Sequence, residues 1–363
     1  MSQVCQRLLL IGTDSIHTRR YLKGIAPYCG SVVLITNQAI PKEELPENLL
    51  AQHVTNFSLR AFGTAKAIRA LIKQYQPDIA HVQQANSVAW HAANALKASG
   101  IPWVLSCWGS DVLLLPKKNW LMKQMVKFNL LCANAVTADS QHLLNTANAV
   151  AGKPLNAHML VFGLEQLPSE AVLTQDRPKR ILSCRLHKPL YRIDAIIHAF
   201  AELVKHQLID ADWQLEIAAR GEQTDELKAL VDSLGLNEQV FFSGFLPHAE
   251  LLDHYLDARV FVSVPESDST PVSLLEAMGS GCYPVLSDLP ANREWVVDGE
   301  TGEVCREMSA LANKLQQAIA VSTTPSIQPI LKKNYLLIKE KAMFASNMAA
   351  FAQIYFTLLA KSN

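Results

Sequence analysis

Short apolar runs alternate with segments of helical periodicity along the chain. In the first half, five such runs are rich in aliphatic and β-branched residues: Arg7–Gly12, Ser31–Thr36, Asp78–Val82, Trp103–Trp108 and Ala135–Asp139. Apolar runs of this length bounded by turns predict buried strands of a parallel sheet, and the segments between them, such as Leu59–Gln76, predict the helices that cover it.

A second series of the same kind follows a polar segment that contains proline, Glu165–Pro178, which we interpret as a linker. The predicted strands of this series are Arg180–Arg185, Trp213–Ala219, Val240–Gly244, Arg259–Val264 and Tyr283–Asp288. The fold class is therefore α/β, with two doubly wound Rossmann-like domains expected to face a central cleft. We assign residues 1–165 and 166–330 to the two domains, and 331–363 to a helical segment expected to pack back on the first domain.

Composition narrows the class of protein. The chain has 363 residues, of which 49% are apolar, with 33 basic and 33 acidic side chains. This apolar fraction excludes a disordered chain, and the zero net charge gives no reason to expect binding to nucleic acid. The charge is unevenly distributed, because residues 1–165 hold 15 basic against 8 acidic side chains and the remainder holds 18 against 25.

The seven cysteines are widely spaced and form no pair or cluster with metal-ligand spacing. We expect reduced, mostly buried thiols of the kind found in the cytosol. The amino-terminal apolar stretch is too short for a secretory signal, and no run of about 18 apolar residues occurs. We therefore expect a cytoplasmic protein, soluble or peripheral on the cytoplasmic face of the membrane.

The most informative segment is Val262–Gly281, in which a buried strand ends, a polar turn follows and an apolar helix begins. Thr270 is a suitable N-cap and Pro271 a suitable first helical residue, so we predict that the helix begins there. The backbone N–H groups of Val272 and Ser273 would then be free to bind an anion.

Two carboxylates accompany this predicted anion site. Asp268 lies in the turn, and Glu276 lies on the helix between Leu275 and Ala277. One reading is an ordinary strand-to-helix connection with Asp268 solvated and Glu276 on an exposed face. The other is that Glu276, in an apolar helix start, is buried and needs a partner.

Glu266–Asp288, followed by Asn292–Glu294 and Asp298–Gly302, resembles the signature of the retaining family 4 glycosyltransferases, which have the GT-B fold. Further matching pieces occur in the expected order along most of the chain: SIHTRRYL, PDIAHV, WGSD, FGLE, CRLHKPLYRID and FFSGFLPHAELLDHYLDARVFVSVPES. The resemblance implies an acceptor-side first domain and a second domain that binds a nucleotide sugar.

The resemblance also implies roles for individual residues. Glu276 matches the glutamate that binds the ribose, and Asp268 stands where relatives more usually have a glutamate near the hydroxyls of the transferred sugar. Arg185 matches the arginine that pairs with the diphosphate. The usual lysine is replaced by Leu190, and its charge would come from one of two nearby cations, Lys188, which we favour, or Arg192.

Other residues border the expected cleft. In the first domain, Asp111 and Trp108 follow a strand where the resemblance implies a contact with acceptor or sugar, and Gly109 permits the turn between them. Nearby candidates are His17, more simply a capping or core residue, and Arg19 and Arg20, which could meet an anionic acceptor. In the second domain, base recognition is expected from backbone groups of the loop Gly244–Pro247, which includes Phe245.

The implied reaction is transfer of a hexose-type sugar from a nucleotide diphosphate to a glycan or lipid-linked acceptor, with retention of configuration. The predicted anion site and cations would stabilise the leaving phosphate, so we expect neither a metal nor a cofactor. Two alternatives remain open at this point: a GT-B enzyme that rearranges or hydrolyses a nucleotide sugar, such as an epimerase, and a non-catalytic GT-B scaffold of a polysaccharide assembly.

One further segment, residues 116–132, has the period of an amphipathic helix. Its apolar stripe consists of Leu121, Met125, Phe128 and Cys132, which we assign to the core. Trp120, Lys123 and Lys127 share the adjoining face. Together with the basic first half, this face is interpreted either as a weak docking surface for the inner membrane or as a solvated lysine face.

Overall fold

The computed structural model describes residues 3–361, which divide into two compact units. Unit 1 comprises the chain up to Phe162 together with the chain from Phe344 onward, and unit 2 comprises Gly163–Met343. The first division falls just before the predicted linker. The helical segment assigned to residues 331–363 is divided between the two units. Its residues up to Met343 belong to unit 2, and its residues from Phe344 belong to unit 1.

Within the described residues, unit 1 contains a seven-stranded, fully parallel sheet in the order β3-β2-β1-β4-β5-β6-β7. Its strands are β1 Cys5–Ile11, β2 Cys29–Thr36, β3 Leu49–Val54, β4 Ile79–Gln83, β5 Trp103–Ser106, β6 Ala135–Ala138 and β7 Ala157–Met159. The helices up to Phe162 are α1 Ile16–Ile25, α2 Thr64–Tyr75, α3 Ser87–Leu96, α4 Ser110–Leu113, α5 Leu115–Lys118, α6 Trp120–Cys132 and α7 Gln141–Ala151.

Unit 2, over residues 163–343, contains a six-stranded parallel sheet in the order β10-β9-β8-β11-β12-β13. Its strands are β8 Arg180–Ser183, β9 Gln214–Ala218, β10 Val240–Gly244, β11 Val260–Ser263, β12 Tyr283–Ser287 and β13 Glu303–Cys305. Its helices are α8 Ile193–Lys205, α9 Thr224–Ser233, α10 His248–Asp257, α11 Val272–Gly279, α12 Leu311–Ser322 and α13 Ile327–Lys341. The predicted class, two Rossmann-like parallel-sheet domains, is confirmed.

The ten strands named from the sequence are all present, and nine of them are apolar runs in the interior of a sheet. The tenth, β10, lies at an edge of the second sheet but still begins with an apolar run. Three further strands lacked that signal. Strands β3 and β7 lie at the two edges of the first sheet and β13 at an edge of the second, and β3 and β7 are only partly buried. Edge strands need no apolar run, since one side has no neighbouring strand.

The last helix, α14 (Phe344–Ala360), returns to unit 1 and packs on its sheet. It contributes buried apolar side chains, such as Phe351, to one face of that sheet. It also contributes the Tyr355 hydroxyl, which lies 2.7 Å from the Tyr21 hydroxyl and 2.6 Å from Nδ1 of His81, all fully buried. These three side chains connect α14 to α1 and β4 by hydrogen bonds.

The predicted core stripe of α6 is partly wrong. The helix buries Met125, Val126, Asn129 and Leu130, whereas Leu121 is exposed. The buried face is therefore rotated relative to the prediction, because the Asn129 amide enters the core to donate to two backbone carbonyls of the loop after β4. A polar residue on the buried face cannot be recognised from apolar periodicity.

The prediction that the cysteines are mostly buried is confirmed: all seven lie among the described residues, and five of them are buried.

Candidate functional site

The helix predicted after the polar turn is present as α11, with one correction to its start. The helix begins at Val272, one residue later than predicted, and Pro271 at the N-cap position provides no side-chain cap. The Thr270 hydroxyl does not cap the helix but accepts a hydrogen bond from the indole N–H of the buried Trp295, at 3.1 Å. The turn is thus fixed by a tryptophan rather than by a cap.

The first amides of α11 have no protein acceptor. Among residues 3–361, no backbone or side-chain partner is found for the N–H groups of Val272 and Ser273, whereas the N–H of Leu274 is bonded to the Pro271 carbonyl. Both residues are half-buried. Free amides at a helix start carry a partial positive charge, which suits a phosphate oxygen.

Arg185 extends from the end of β8 to this helix start. Its Nη2 donates to Oδ2 of Asp268 at 2.6 Å, and its Nη1 donates to the Ser273 hydroxyl at 3.2 Å. The guanidinium also lies over the Tyr191 ring, 4.5 Å from its centroid. Burial opposes the charge, yet the Asp268 carboxylate and Tyr191 outweigh it and keep the pKa of Arg185 above its ordinary value. A fixed, desolvated guanidinium therefore lies beside the free amides.

The two candidates for the missing lysine differ in their surroundings. Lys188 is exposed and precedes a short turn of 3₁₀ helix, Pro189–Tyr191. Arg192 has a left-handed backbone, with φ of 52°, and its Nε lies 3.4 Å from Oε1 of Glu266. Lys188 is therefore the more readily available cation in this loop.

Glu276 is buried and has side-chain partners on both carboxylate oxygens, so the reading of an exposed face is wrong. Nε2 of His248 lies 2.7 Å from Oε1, and the Tyr255 hydroxyl donates to Oε2 at 3.0 Å. Tyr255 is fully buried, whereas the His248 side chain is 66% exposed. The carboxylate thus has one interior partner and one at the surface.

The predicted base loop begins with a backbone turn that favours glycine. Gly244 has φ of 73°, and a Cβ there would approach the Arg220 guanidinium to 3.1 Å. Phe245 is 71% exposed. The loop ends at Pro247, immediately before His248, so it lies next to the Glu276 partners in the chain.

In unit 1, Asp111 is buried and serves the backbone. Its Oδ2 accepts the N–H of Ala85 at 2.6 Å and its Oδ1 accepts the N–H of Trp108 at 3.0 Å. Burial raises the pKa of Asp111, although these hydrogen bonds oppose the shift. The carboxylate thereby joins the loops after β4 and β5, across the turn at Gly109, whose φ is 103°.

Trp108 and His17 form an aromatic contact at the same sheet edge. Their ring centroids are 5.0 Å apart in an edge-on arrangement, and the Trp108 indole N–H donates to Oε1 of Gln83 at 2.7 Å. Burial lowers the pKa of His17. Of the two candidate arginines, both in α1, Arg19 is paired with two carboxylates, Asp14 and Glu44, and Arg20 lies over the Phe344 ring.

The structure thus brings together Arg185, Asp268 and the first turn of α11, with Glu276 further along the same helix. The partners His248 and Tyr255 were missed by the sequence reasoning. They are seven residues apart in α10, about two helical turns, and so lie on one face. That spacing was the available signal.

No group of three or more His, Cys, Asp or Glu side chains in residues 3–361 is placed to hold a metal ion. None of the helices described in this range combines the length and apolar character needed to cross a membrane.

Family models identify the class of protein. Residues 7–140 match the model described as glycosyl transferase 4-like, and residues 169–326 match the model of glycosyl transferases group 1. Together these matches span well over half of the chain. The chain therefore belongs to the family 4-like glycosyltransferases of the GT-B fold, which confirms the resemblance noted in the sequence.

Individual relatives are distant. The chain is 23% identical over 308 residues to the alpha-monoglucosyldiacylglycerol synthase of Streptococcus pneumoniae, covering 78% of this chain and 68% of that protein. It is 27% identical over 173 residues to the lipopolysaccharide core biosynthesis mannosyltransferase LpcC of Rhizobium leguminosarum, covering 46% of this chain and 47% of that one. A structure of Anabaena HepE in complex with UDP superposes with a TM-score of 0.78 at 15% identity, covering 97% of this chain and all of the other.

Proposed function

We propose that this glycosyltransferase moves a hexose-type sugar from a nucleotide diphosphate sugar to a glycan or lipid-linked acceptor, with retention of the anomeric configuration. The pathway would be the synthesis of a cell-surface glycolipid, polysaccharide or lipopolysaccharide. The observation that carries the proposal is the convergence of the Arg185 guanidinium and the free amides of Val272 and Ser273 at the start of α11.

The proposed chemistry follows from where charge develops. Breaking the bond between sugar and diphosphate leaves negative charge on the leaving phosphate and positive charge on the anomeric carbon. Amides and a guanidinium that are already oriented stabilise this charge without reorganising. Lys188 would add a mobile positive charge at the entrance to the site, and Ser273 would add a hydroxyl.

The remaining groups are assigned to the other parts of the donor. Glu276 would accept hydrogen bonds from the ribose hydroxyls, and the Gly244–Phe245 backbone would contact the base. Asp268 would accept from a hydroxyl of the transferred sugar. In this structure Asp268 is paired with Arg185, so diphosphate binding to Arg185 would free the Asp268 carboxylate for the sugar.

The names of the relatives support the kind of acceptor. One is a synthase of a glucosylated diacylglycerol, and another builds the lipopolysaccharide core. The chain spans about two thirds of the first relative and about half of the second, so their substrates enter here as a proposal.

Asp111 and Trp108 of unit 1 are proposed to shape the acceptor side, Asp111 by holding the loop that carries Trp108.

The test is a binding panel followed by product analysis. Calorimetry with UDP, GDP and ADP should reveal one preferred nucleoside diphosphate, and Arg185→Ala should abolish its binding. The matching nucleotide sugar, incubated with an acceptor lipid extract, should then yield a glycosylated product with the donor's anomeric configuration. A rearranged sugar formed without acceptor would establish an epimerase instead, and absence of binding across the panel would establish a scaffold.

We also propose that the reaction requires no metal ion or other cofactor, because protein donors surround the proposed phosphate position. Prolonged treatment with EDTA should leave the transfer rate unchanged within about twofold. A loss that Mg²⁺ or Mn²⁺ restores would contradict this.

The exposed end of α6 is proposed to contact the cytoplasmic face of the inner membrane weakly. Trp120 and Leu121 are 69% and 64% exposed, and Lys123 is exposed while Lys127 is half-buried. The preceding helix α5 adds exposed lysines, including Lys118. Apolar side chains ringed by lysines fit an anionic bilayer surface, where each lysine contributes about 1 kcal/mol.

Cosedimentation with vesicles of phosphatidylglycerol and phosphatidylcholine tests this contact. The variant Lys118→Glu/Lys123→Glu/Lys127→Glu should lose binding, whereas reversal of exposed lysines elsewhere in unit 1, such as Lys66 and Lys73, should reduce it much less. Equal loss in both variants, or loss in neither, would contradict a specific docking face.

A further inference from the structure

The two carboxylate oxygens of Glu276 have different hydrogen-bond partners. Oε2 faces the interior and accepts a hydrogen bond from the fully buried Tyr255. Oε1 faces His248, whose side chain is two-thirds exposed. A hydrogen bond at the surface is readily exchanged, because water or a ligand can replace the departing partner, whereas a buried one cannot be broken without leaving a polar group unpaired.

The interior partner belongs to a directed chain of donors. Since the Tyr255 hydroxyl gives its single hydrogen to Glu276, the Cys184 thiol, 3.1 Å away, donates to Tyr255. Burial raises the pKa of Cys184 to about 11 and that of Tyr255 well above its ordinary value, so both stay protonated near neutral pH. Cys184 directly precedes Arg185, and the chain therefore links Glu276 to the backbone that carries the guanidinium.

The surface partner is placed where a ligand would arrive. His248 is the first residue of α10 and follows the loop from Gly244 to Pro247, which is the proposed base loop. A ribose arriving from the surface would reach Oε1, the carboxylate oxygen whose partner is exposed, and this is the oxygen that His248 engages. His248 and a ribose diol therefore compete for the same oxygen.

We propose that His248 is an exchangeable placeholder for the ribose hydroxyls on Glu276, and that Tyr255 is the positioning residue that keeps this carboxylate aimed at them. The inference rests on the proposed function, in particular on a nucleoside diphosphate binding to unit 2. It assigns to donor recognition two residues, His248 and Tyr255, in addition to the carboxylates Asp268 and Glu276. If the proposal holds, His248 lowers the affinity for the donor, because it competes with the ribose. A histidine that merely supported Glu276 would not lower this affinity.

The experiment compares ribose with dideoxyribose. The probes are UDP, GDP or ADP, whichever of the three binds the full-length protein most tightly, and its 2′,3′-dideoxy counterpart, each titrated by calorimetry. For the wild type, the ribonucleotide should bind about tenfold or more tighter than the dideoxy form, as expected for hydrogen bonds to a carboxylate.

His248→Ala should tighten binding of the ribonucleotide by about threefold to tenfold and leave the dideoxy form unchanged, because only the ribose competes with the histidine. The matched control is His206→Ala, an exposed histidine at the end of α8. Weaker binding of the ribonucleotide to His248→Ala would overturn the placeholder role.

Tyr255→Phe should weaken the ribonucleotide by about tenfold and leave the dideoxy form unchanged, so that discrimination between the two is lost. Unchanged dideoxy binding also shows that the variant is folded. Tyr335→Phe is the matched control, since this buried hydroxyl of unit 2 donates to the Pro168 carbonyl instead.

The outcomes separate the two proposals. If the wild type binds a nucleoside diphosphate but does not distinguish ribose from dideoxyribose, the inference fails while the donor site stands. Equal weakening of both probes by Tyr255→Phe would likewise overturn the positioning role. If none of the three nucleotides binds the wild type, the proposed function fails, and the inference fails with it.

Discussion

The two units each place a carboxylate at the carboxyl edge of a parallel sheet, but they use it differently. In unit 1, Asp111 accepts hydrogen bonds from the backbone N–H groups of Ala85 and Trp108. In unit 2, Asp268 and Glu276 are held by the side chains of Arg185 and His248, with Tyr255 behind Glu276.

This difference in hydrogen-bond partners affects which carboxylates are available to bind a ligand. A ligand can take the place of Asp268 on Arg185 or of His248 on Glu276, whereas the amides that hold Asp111 belong to the backbone of two loops. A carboxylate after a strand is therefore not by itself a substrate contact. This difference supports the proposal that unit 2 binds the donor and that Asp111 stabilises the loop that carries Trp108.

The largest effect is expected from Arg185→Ala. Loss of an oriented donor to the leaving phosphate should lower kcat/KM for sugar transfer by about 100-fold to 1,000-fold, in line with the removal of other preorganised donors. Nucleoside diphosphate binding should fall with it. Steady-state kinetics and calorimetry measure both quantities, and Arg306→Ala, an exposed arginine of unit 2, should behave as the wild type. Full activity of Arg185→Ala would remove the basis for a donor site in unit 2.

Asp111→Ala should act on stability instead. It leaves the buried amides of Ala85 and Trp108 without their acceptor, which should lower the free energy of unfolding by about 2–4 kcal/mol. Urea unfolding measures this quantity, with Glu47→Ala as an exposed control in the same unit. Nucleoside diphosphate affinity should stay unchanged. A stable Asp111→Ala protein that has lost only turnover would reverse the assignment and make Asp111 a direct substrate contact.

Asp268→Asn should separate binding from catalysis. Removing the charge frees Arg185 for the diphosphate, so nucleoside diphosphate affinity should be maintained or increased. The weaker acceptor opposite the sugar should lower kcat by about tenfold to 100-fold, equivalent to ~1.4–2.7 kcal/mol. The two measurements are made on the same preparation. Parallel loss of affinity and kcat would mean that Asp268 serves only to hold Arg185.

Acid should weaken unit 1 through His81. Burial lowers the pKa of this histidine from 6.5 to about 3, so between these values the unfolded chain binds the extra proton and the folded chain does not. Stability should therefore fall with decreasing pH below about 6.5, by at most ~1.4 kcal/mol per pH unit. Hydrogen exchange in β4 and α14 measures the slope, which His81→Gln should flatten. An unchanged slope in that variant would show that other groups govern acid stability.

Much of the fold could be predicted, because buried parallel strands are apolar runs and the runs occur in two series. The edge strands β3 and β7 were not predicted, because an edge strand does not need a continuous apolar run. The return of α14 to unit 1 was expected from its apolar periodicity, but the division at Met343 was not. The position of α6 was misjudged because a buried amide, Asn129, interrupts its apolar stripe.

The site was predictable where local rules suffice. A strand, a polar turn and an apolar helix start were enough to place the free amides of Val272 and Ser273. The pairing of Arg185 with Asp268 and the contacts of His248 and Tyr255 with Glu276 join segments far apart in the sequence. Such contacts depend on how strands are ordered in the sheet, which no local pattern specifies.

The central claim is that unit 2 receives a diphosphate at the start of α11. The most direct measurement is a crystal structure of the protein soaked with its preferred nucleoside diphosphate. The account predicts phosphate oxygens within hydrogen-bond distance of the Arg185 guanidinium and of the Val272 and Ser273 amides, with the ribose on Glu276. A diphosphate bound elsewhere, with those amides occupied by protein groups, would contradict it.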